Sequence, residues 1–331
     1  MIHLFFIIFC MIYTNCALTN YDPDMAFNAY KLTAAAYTDN DESLITQCLT
    51  DTFGAFQNLA HSTFNCYKGD DSCTGIFATF PSKNLTIISF RGTKNFLSYL
   101  HQIENAYSFV PYDSVNNNYG YVEKYYRDVA ESVFNQFIGN KINNSPGSMK
   151  YLITGHSLGG ALAVMTALKI VTTLTANPQD VQVFTFGQPR IGDYEFAQNV
   201  VQRNLPNLYR LVHNKDIIPH FPACSTKIGD TSVCLQESKK PYHHTVEVFY
   251  NNNKNSFQYV LCDANNGEDP SCSDGLNIID NIEGLLSDYH NTYFDINIEK
   301  FGKRGCQNSA NRILSYSFFI LFATILSYII L

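Results

Sequence analysis

Short apolar runs alternate with helical segments through the middle of the chain. Runs of apolar and β-branched residues predict strands: "LTIISF" (85–90), "YLIT" (151–154), "VQVFTF" (181–186), "LYRLV" (208–212), "TVEVFY" (245–250) and "FQYVLC" (257–262). Apolar residues at three- and four-residue steps predict helices in "PDMAFNAYKLTAAAY" and "YVEKYYRDVAESVFNQFI". Because most of the runs are apolar throughout, we predict an α/β fold with a mostly parallel central sheet flanked by helices. The last two runs predict a closing hairpin around "NNNKNS".

Both ends of the chain are apolar and indicate targeting segments. Residues 1–16, "MIHLFFIIFCMIYTNC", predict a signal peptide, although they lack the usual Lys or Arg; a buried first helix is the alternative. The final stretch, "ILSYSFFILFATILSYIIL", has no charge and follows small residues, so residues 309–331 predict a GPI-attachment signal. A retained transmembrane helix is the alternative reading of this tail. Between these ends we expect one domain, residues 17–308.

Composition limits the classes of partner. The chain has 331 residues, 46% of them hydrophobic, which is enough for a sizeable core. Its formal net charge is -7, and no Lys/Arg cluster exceeds two residues, which argues against nucleic acid.

The cysteines indicate an oxidising compartment. Ten are present, and removal of the signal peptide would leave eight. An even number suggests four disulfides. Spacing favours the local pairs Cys66/Cys73, Cys224/Cys234 and Cys262/Cys272, and with them Cys48/Cys306. On the order of a hundred pairings stay open on sequence alone. Zinc is the other reading, but no CxxC pair is present. Two glycosylation sequons begin at Asn84 and Asn143.

A serine lies between two glycines where an apolar run meets a long apolar helix. Gly155, Ser157 and Gly159 form the pattern Gly-x-Ser-x-Gly, between a strand ending at Thr154 and a helix starting near Leu158. Such a tight turn exposes a nucleophilic hydroxyl, and the glycines let strand and helix approach closely. The helix N-terminus supplies amides for an oxyanion, with that of Leu158 first. The alternative, a phosphate-binding loop, lacks the following Gly-Lys-Ser/Thr.

A serine nucleophile needs a histidine held by a carboxylate, in the order Ser, Asp or Glu, His. Asp216, in "HNKDIIPHFP", follows a predicted strand, although it also suits a turn before Pro219. The histidines considered as the base are His220, which shares this loop, His243 and His244, which precede "TVEVFY", and His290, which has no such placement. Spacing does not choose between His243 and His244.

These motifs resemble class 3 lipases, the fungal-lipase-like branch of the α/β-hydrolases. The matching segments span residues 89–250: "SFRGT", "TGHSLGGALA", "TFGQPRIGD", "HNKDIIPHFP" and "YHHTVEVFY". The resemblance implies Ser157 as nucleophile, Asp216 as orienting acid and a histidine before the last strands as base. In the family that histidine stands four residues before a Glu, an apolar residue and an aromatic. Glu247-Val248-Phe249 therefore selects His243.

The resemblance also implies three further features. Thr93 is the second oxyanion-hole residue, beside Leu158. "KNFLSYLHQIENAYSFV" (94–110) is a helical lid, the alternative being an ordinary amphipathic surface helix. A disulfide joining the two ends of the chain, as in fungal members, supports Cys48 with Cys306.

Together these features predict a secreted or cell-surface, GPI-anchored serine ester hydrolase of acyl lipids. We expect a triacylglycerol lipase that acts through an acyl-enzyme on Ser157, at a lipid–water interface, without metal or organic cofactor. The alternatives are a phospholipase A1 or feruloyl-type esterase on the same scaffold, or a non-catalytic lipid-binding surface protein.

Overall fold

The computed structural model describes residues 20–66, 72–93, 108–113, 119–142, 149–174, 176–227, 230–251, 258–276 and 288–307. The strands of the described residues are β1 Gln57–Asn65, β2 Ser72–Phe80, β3 Leu85–Arg91, β4 Phe109–Pro111, β5 Tyr121–Glu123, β6 Lys150–His156, β7 Val181–Phe186, β8 Asn207–His213, β9 Thr226–Lys227, β10 Asp230–Cys234, β11 Glu247–Tyr250, β12 Val260–Leu261, β13 Thr292–Tyr293 and β14 Ile296–Asn297.

The helices lie mainly between these strands. The α-helices of the described residues are α1 Pro23–Ala35, α2 Glu42–Phe53, α3 Lys124–Val133, α4 Gly139–Ile142, α5 Leu158–Thr173, α6 Tyr194–Phe196 and α7 Ile298–Gly302. π-Helical turns continue α3 and α6 over Phe134–Ile138 and Ala197–Gln202. Short 3₁₀ turns cover Pro81–Lys83, Pro178–Asp180, Ile218–His220 and Ser273–Gly275.

Eight strands form one sheet in the order β1-β2-β3-β6-β7-β8-β11-β12. The five central strands β3, β6, β7, β8 and β11 pair in parallel, whereas β1, β2 and β12 pair antiparallel at the two edges. Parallel strands end at a common edge, where the connecting loops meet and where sites form in this class of fold. The loops after β3, β6, β8 and β11 therefore share one edge of the sheet.

Helices cover both faces of the sheet. The long helix α5 packs with α3 on one face and is apolar on nearly every side, which suits a helix buried between a sheet and other helices. On the other face α1, α2 and α7 bury aromatic and aliphatic residues against the sheet. Asp22 caps α1 by accepting from the amides of Asp24 and Met25.

The structure confirms the mostly parallel sheet, the flanking helices and the antiparallel β11–β12 hairpin. It adds β1 and β2, a hairpin whose strands the apolar pattern did not single out. Residues 121–123 were predicted to be helical and instead form β5, because Glu123 caps the start of α3. Residues 1–16 and 309–331, and nearly all of the predicted lid, lie outside the described residues. No helix within the described residues has the length and apolar character to span a bilayer.

Four disulfides join the cysteines in the pairs that spacing favoured. Cys48 on α2 bonds Cys306 beyond α7, closing a loop over 258 residues. Cys66 bonds Cys73 within the β1–β2 hairpin, at a separation of 7 residues. The long-range bridge thus fixes the last described helix beside the first two.

The two disulfides differ in loop length, and their removal should cost different amounts of stability. Chain-entropy arguments give about 5 kcal/mol for the loop closed by Cys48–Cys306 and about 2 kcal/mol for that closed by Cys66–Cys73. We expect the double variant Cys48→Ser/Cys306→Ser to unfold at distinctly lower denaturant concentration than Cys66→Ser/Cys73→Ser, in matched equilibrium unfolding experiments. Equal losses would contradict the loop-length argument.

Candidate active site

Ser157 occupies the sharp turn between β6 and α5. Its φ is 57° and its ψ is -130°, a strained conformation for a residue with a side chain. A methyl group on Gly155 would overlap the carbonyl oxygen of Gly159 in the first turn of α5. Gly155 is therefore required by the close approach of strand and helix, as the sequence pattern predicted, whereas Gly159 is required because a methyl group there would overlap the Phe90 carbonyl oxygen on β3.

The Ser157 hydroxyl lies at the start of α5 and is nearly buried, with the residue 3% exposed. Its Oγ has no hydrogen-bond partner among the described residues. The Ser157 amide donates to the carbonyl of Phe186 on β7 at 2.9 Å, which anchors the turn to the neighbouring strand. The backbone is fixed while the hydroxyl stays available to a reacting group at the positive end of a helix dipole.

The loop after β3 crosses directly over this turn. A methyl group on Gly92 would lie 2.9 Å from Ser157 Cβ and 3.3 Å from the Leu158 amide nitrogen. Thr93 is the next residue and is also buried. The structure thus places the loop that carries Thr93 next to Ser157 and the Leu158 amide, and an oxyanion hole formed by Thr93 and Leu158 requires this proximity.

Asp216 binds a histidine, but the histidine is His290. The Nδ1 atom of His290 lies 3.1 Å from Asp216 Oδ1 and 3.0 Å from Oδ2. The buried carboxylate also accepts from the Ile218 amide at 3.0 Å and from the Tyr293 hydroxyl at 3.3 Å. A carboxylate only accepts, so Nδ1 carries a proton and Nε2 is the basic nitrogen of the neutral ring.

Electrostatics keep Asp216 ionised. Burial alone would raise the pKa of this carboxyl, but His290 and the Ile218 amide together bring the pKa below its usual value. A negative carboxylate beside the ring stabilises a positive imidazolium, which a proton-accepting histidine must become.

His290 lies against the nucleophile turn. A methyl group on Gly187 would be 2.7 Å from both Asp216 Oδ2 and His290 Nδ1. Gly187 directly follows Phe186, whose carbonyl holds the Ser157 amide. On the other side, His156 Nε2 is 2.7 Å from the His290 carbonyl oxygen. Both residues that flank the acid–histidine pair are thus also direct neighbours of the Ser157 turn.

The structure pairs Asp216 with His290 and not with His243, the histidine predicted as base. His243 directs Nε2 to the Pro219 carbonyl at 2.6 Å, and its amide donates to Glu268 at 2.6 Å. Burial, with Arg210 and Arg190 nearby, holds the pKa of His243 well below its usual value. A ring packed in a positive environment is poorly suited to accept a proton.

The other two histidines of the predicted loops also have structural partners. His244 Nε2 lies 2.8 Å from Gln188 Nε2, and burial lowers the pKa of His244 to about 3. His220 faces Asp274 at 3.5 Å.

Glu247, the residue that favours His243 in the sequence, has a structural role. Its carboxylate pairs with the buried Arg210 at 2.9 Å and accepts from the Ser273 amide. His290 comes after the last strand of the sheet, within "DYHNTYF". In the α/β-hydrolase order the base follows the acid, and a histidine beyond the last sheet strand satisfies that order. His243 and His244 satisfy the order as well, so the sequence alone does not distinguish His290 from them.

Buried ion pairs fix the loops around the site. Arg190 forms a bidentate ion pair with Glu268, with Nε 2.8 Å from Oε1 and Nη2 2.7 Å from Oε2. The same guanidinium donates to the His220 and Pro222 carbonyls, so it holds the chain just after Asp216. This pairing satisfies a charge that would be costly to bury alone.

Clusters of metal-binding side chains do not coincide with this site. Two such groups occur among the described residues, Glu247 with Cys262 and Cys272, and Cys234 with Glu268 and Asp274. All three cysteines are in disulfides, and the carboxylates of Glu247 and Glu268 pair with arginines. These groups therefore serve structural bonds.

Comparison with known proteins identifies the family. The class 3 lipase family model matches residues 87–226, which include Ser157 and Asp216. A lipase of Caenorhabditis elegans is 30% identical over 295 residues, covering 84% of this chain and 80% of the relative. The chain belongs to the class 3 lipase family. The predicted family and enzyme class, a lipase-type hydrolase, are both confirmed.

Two further comparisons bear on this lipase. Lipase II of Rhizopus niveus has a similar structure, with a TM-score of 0.65 at 23% identity, covering 83% of this chain and 95% of that chain. This similarity confirms the α/β-hydrolase fold. Phospholipase A1-II 1 of Oryza sativa is 33% identical over 90 residues, covering 27% of this chain and 23% of the relative.

The close approach at the turn gives a direct test. Gly155→Ala places a methyl group against the Gly159 backbone, so we expect a loss of about 3 kcal/mol in the free energy of unfolding. Gly139→Ala is the matched control, since its new methyl would lie 3.4 Å from the Phe134 carbonyl in helical backbone. The control should be neutral or more stable by up to about 1 kcal/mol. Equal stability of the two variants in chemical unfolding would refute the packing argument.

Proposed function

We propose that this lipase hydrolyses the carboxylic esters of triacylglycerols through an acyl-enzyme on Ser157. The observation that supports this proposal is the Asp216–His290 pair, held beside a serine on a strained strand-to-helix turn. A nucleophile, a base and an orienting acid in this arrangement form the machinery of serine ester hydrolysis.

In the first step, His290 Nε2 takes the proton of Ser157 as Oγ attacks the ester carbonyl carbon. A C–O bond forms, and the carbonyl electron pair moves to oxygen. Asp216 stabilises the imidazolium that results. Amides of Leu158 and Thr93 donate to the negative oxygen, with the Thr93 hydroxyl as a further donor.

In the next steps, the tetrahedral intermediate collapses and the bond to the alcohol breaks. His290 gives its proton to the leaving oxygen, so a diacylglycerol departs and the acyl group stays on Ser157. Water then attacks the acyl-enzyme with His290 again as base, releasing the fatty acid and restoring the serine.

The choice of histidine is directly testable. We expect His290→Gln and Ser157→Ala to lower kcat for an ester substrate by about 10⁴-fold or more, because the members of such a triad act as a unit. His243→Gln should keep most of the activity per folded molecule, since Gln retains an N–H donor for the Pro219 carbonyl. Labelling by a fluorophosphonate should be lost in Ser157→Ala and persist in His243→Gln. Wild-type kcat in His290→Gln would overturn the proposed base.

The substrate class rests on the relatives. Those matching most of the chain or most of the fold are named lipases, whereas the phospholipase A1 relative matches a short region. The second candidate is therefore phospholipase A1 activity with the same residues. Hydrolysis of emulsified trioleoylglycerol, compared with phosphatidylcholine vesicles and a feruloyl ester, distinguishes the three activities. Preferential release of the sn-1 chain of phosphatidylcholine would replace the triacylglycerol assignment.

We also propose that the protein is exported and held at the cell surface by a GPI anchor. The four disulfides fit an oxidising compartment, and Asn84 of the first sequon is exposed. The uncharged stretch 313–331 after small residues supports anchor attachment.

Phosphatidylinositol-specific phospholipase C should release the protein from intact cells into the medium. Residues 1–308 expressed alone should enter the medium without that treatment. A protein that stays with the membrane after phospholipase treatment, while a known GPI-anchored protein is released, would show a retained transmembrane tail instead.

A further inference from the structure

A series of hydrogen bonds runs behind the nucleophile. His156, the last residue of β6, lies with Nε2 2.7 Å from the His290 carbonyl and Nδ1 2.6 Å from the Tyr37 hydroxyl. The Gly92 amide faces the same hydroxyl and partly offsets the rise that burial causes in the pKa of Tyr37, and the neighbouring Arg91 guanidinium lies 5.9 Å from the centre of the Tyr37 ring. Tyr37, Gly92, His156 and His290 come from the loop after α1, the loop after β3, the end of β6 and the segment before β13.

The proton positions in this series follow from the chemistry of each group. A carbonyl only accepts, so His156 Nε2 must carry a proton. Burial, with the nearby His290, lowers the pKa of His156 to about 3, so the ring is neutral and its Nδ1 is an acceptor. Burial raises the pKa of Tyr37, so its hydroxyl is protonated and donates to Nδ1. The two donors therefore point in one direction, from Tyr37 through His156 to His290.

We propose that Tyr37 and His156 are positioning residues that set the oxyanion loop, Ser157 and His290 in register through this series of hydrogen bonds. The inference rests on the proposed role of His290 as base. Gly92 precedes Thr93, His156 precedes Ser157, and the last bond is to the backbone of His290 itself. Each contact thus acts on a catalytic group through its immediate neighbour.

Two further contacts support a positioning role. The rings of His156 and His290 lie 4.5 Å apart at an interplanar angle of 37°, so His156 limits the rotation of the base as well as holding its backbone. His213, the last residue of β8, lies with Nδ1 3.3 Å from the Tyr289 carbonyl. The successive carbonyls of Tyr289 and His290 therefore accept hydrogen bonds from His213 and His156, each of which ends a strand of the sheet.

Three variants test the series. Tyr37→Phe removes one hydroxyl, His156→Leu removes both bonds, and His156→Gln keeps an N–H donor that can reach the His290 carbonyl. Small misplacements of catalytic groups cost up to about 100-fold in rate. We expect kcat per fluorophosphonate-titrated site to fall about 10-fold in Tyr37→Phe and about 100-fold in His156→Leu, with KM for a soluble short-chain ester unchanged. His156→Gln should recover most of the loss.

Tyr242→Phe is the matched control. The Tyr242 hydroxyl donates to Asn266 Oδ1 at 2.8 Å, and neither residue contacts the Ser157, Asp216 or His290 side chains in the hydrogen bonds described above. This control should lose stability comparable to Tyr37→Phe and keep wild-type kcat. The downfield proton NMR resonance of the His290 Nδ1–H···Asp216 bond should broaden in Tyr37→Phe and stay sharp in Tyr242→Phe.

Wild-type kcat per titrated site in both Tyr37→Phe and His156→Leu would overturn the positioning role while leaving the proposed function intact, provided His290→Gln is inactive. Full activity in His290→Gln would remove the proposed function and this inference together.

Discussion

The close approach of β6 to α5 is the constraint on which the site depends. A side chain on Gly155 would overlap the first turn of α5, a side chain on Gly159 would overlap the end of the neighbouring strand β3, and Ser157 between them has a positive φ. The structure tolerates this strain because α5 is buried along nearly its whole length and the Ser157 amide is hydrogen-bonded to β7. The same geometry sets the Ser157 hydroxyl at a helix N-terminus, where amide dipoles point toward developing negative charge. Packing energy far from Ser157 therefore maintains the catalytic conformation.

The parallel sheet supplies the rest of the site by convergence. Strands β3, β6 and β8 end at one edge, so the loop of Thr93, the turn of Ser157 and the loop of Asp216 meet there without sequence proximity. His290, the proposed base, reaches this edge differently: it follows β12, the last strand of the sheet, and the chain brings it back to Asp216 after β8. Between Asp216 and His290, the carboxylates of Glu268 and Glu247 pair with the buried Arg190 and Arg210. Two disulfides, Cys224–Cys234 and Cys262–Cys272, also stabilise this part of the chain.

Ser157 and Asp216 could be predicted because each lies in a short local motif. The pairing of His290 with Asp216 could not, because it is a contact between residues 74 positions apart. Ser157 and Asp216 each follow an apolar strand, and a turn at that place can be read from a few residues. The β1–β2 hairpin was missed because β1 alternates irregularly and lacks an apolar run, although "IFATF" (76–80) in β2 is a run that favours a strand. His243 precedes a strand as convincingly as a base should, and only the three-dimensional path shows that its ring points to Pro219. Pairing of Glu247 with Arg210 removes the marker that favoured His243.

The charges around each histidine favour His290 over its neighbours as the proposed base. His243 and His244 lie near buried arginines, which disfavour a second positive charge, and burial acts in the same direction. His156 is kept neutral by burial and by His290, so it can donate at one nitrogen and accept at the other without competing for the proton of Ser157. His290 alone among these four faces a buried, ionised carboxylate. Asp216 stabilises a positive charge on the His290 ring. On the other three rings the same charge is destabilised by burial and by a neighbouring cationic or histidine side chain. The positions of Arg190, Arg210 and Asp216 therefore support the proposed proton-accepting role of His290 independently of the hydrogen-bond geometry.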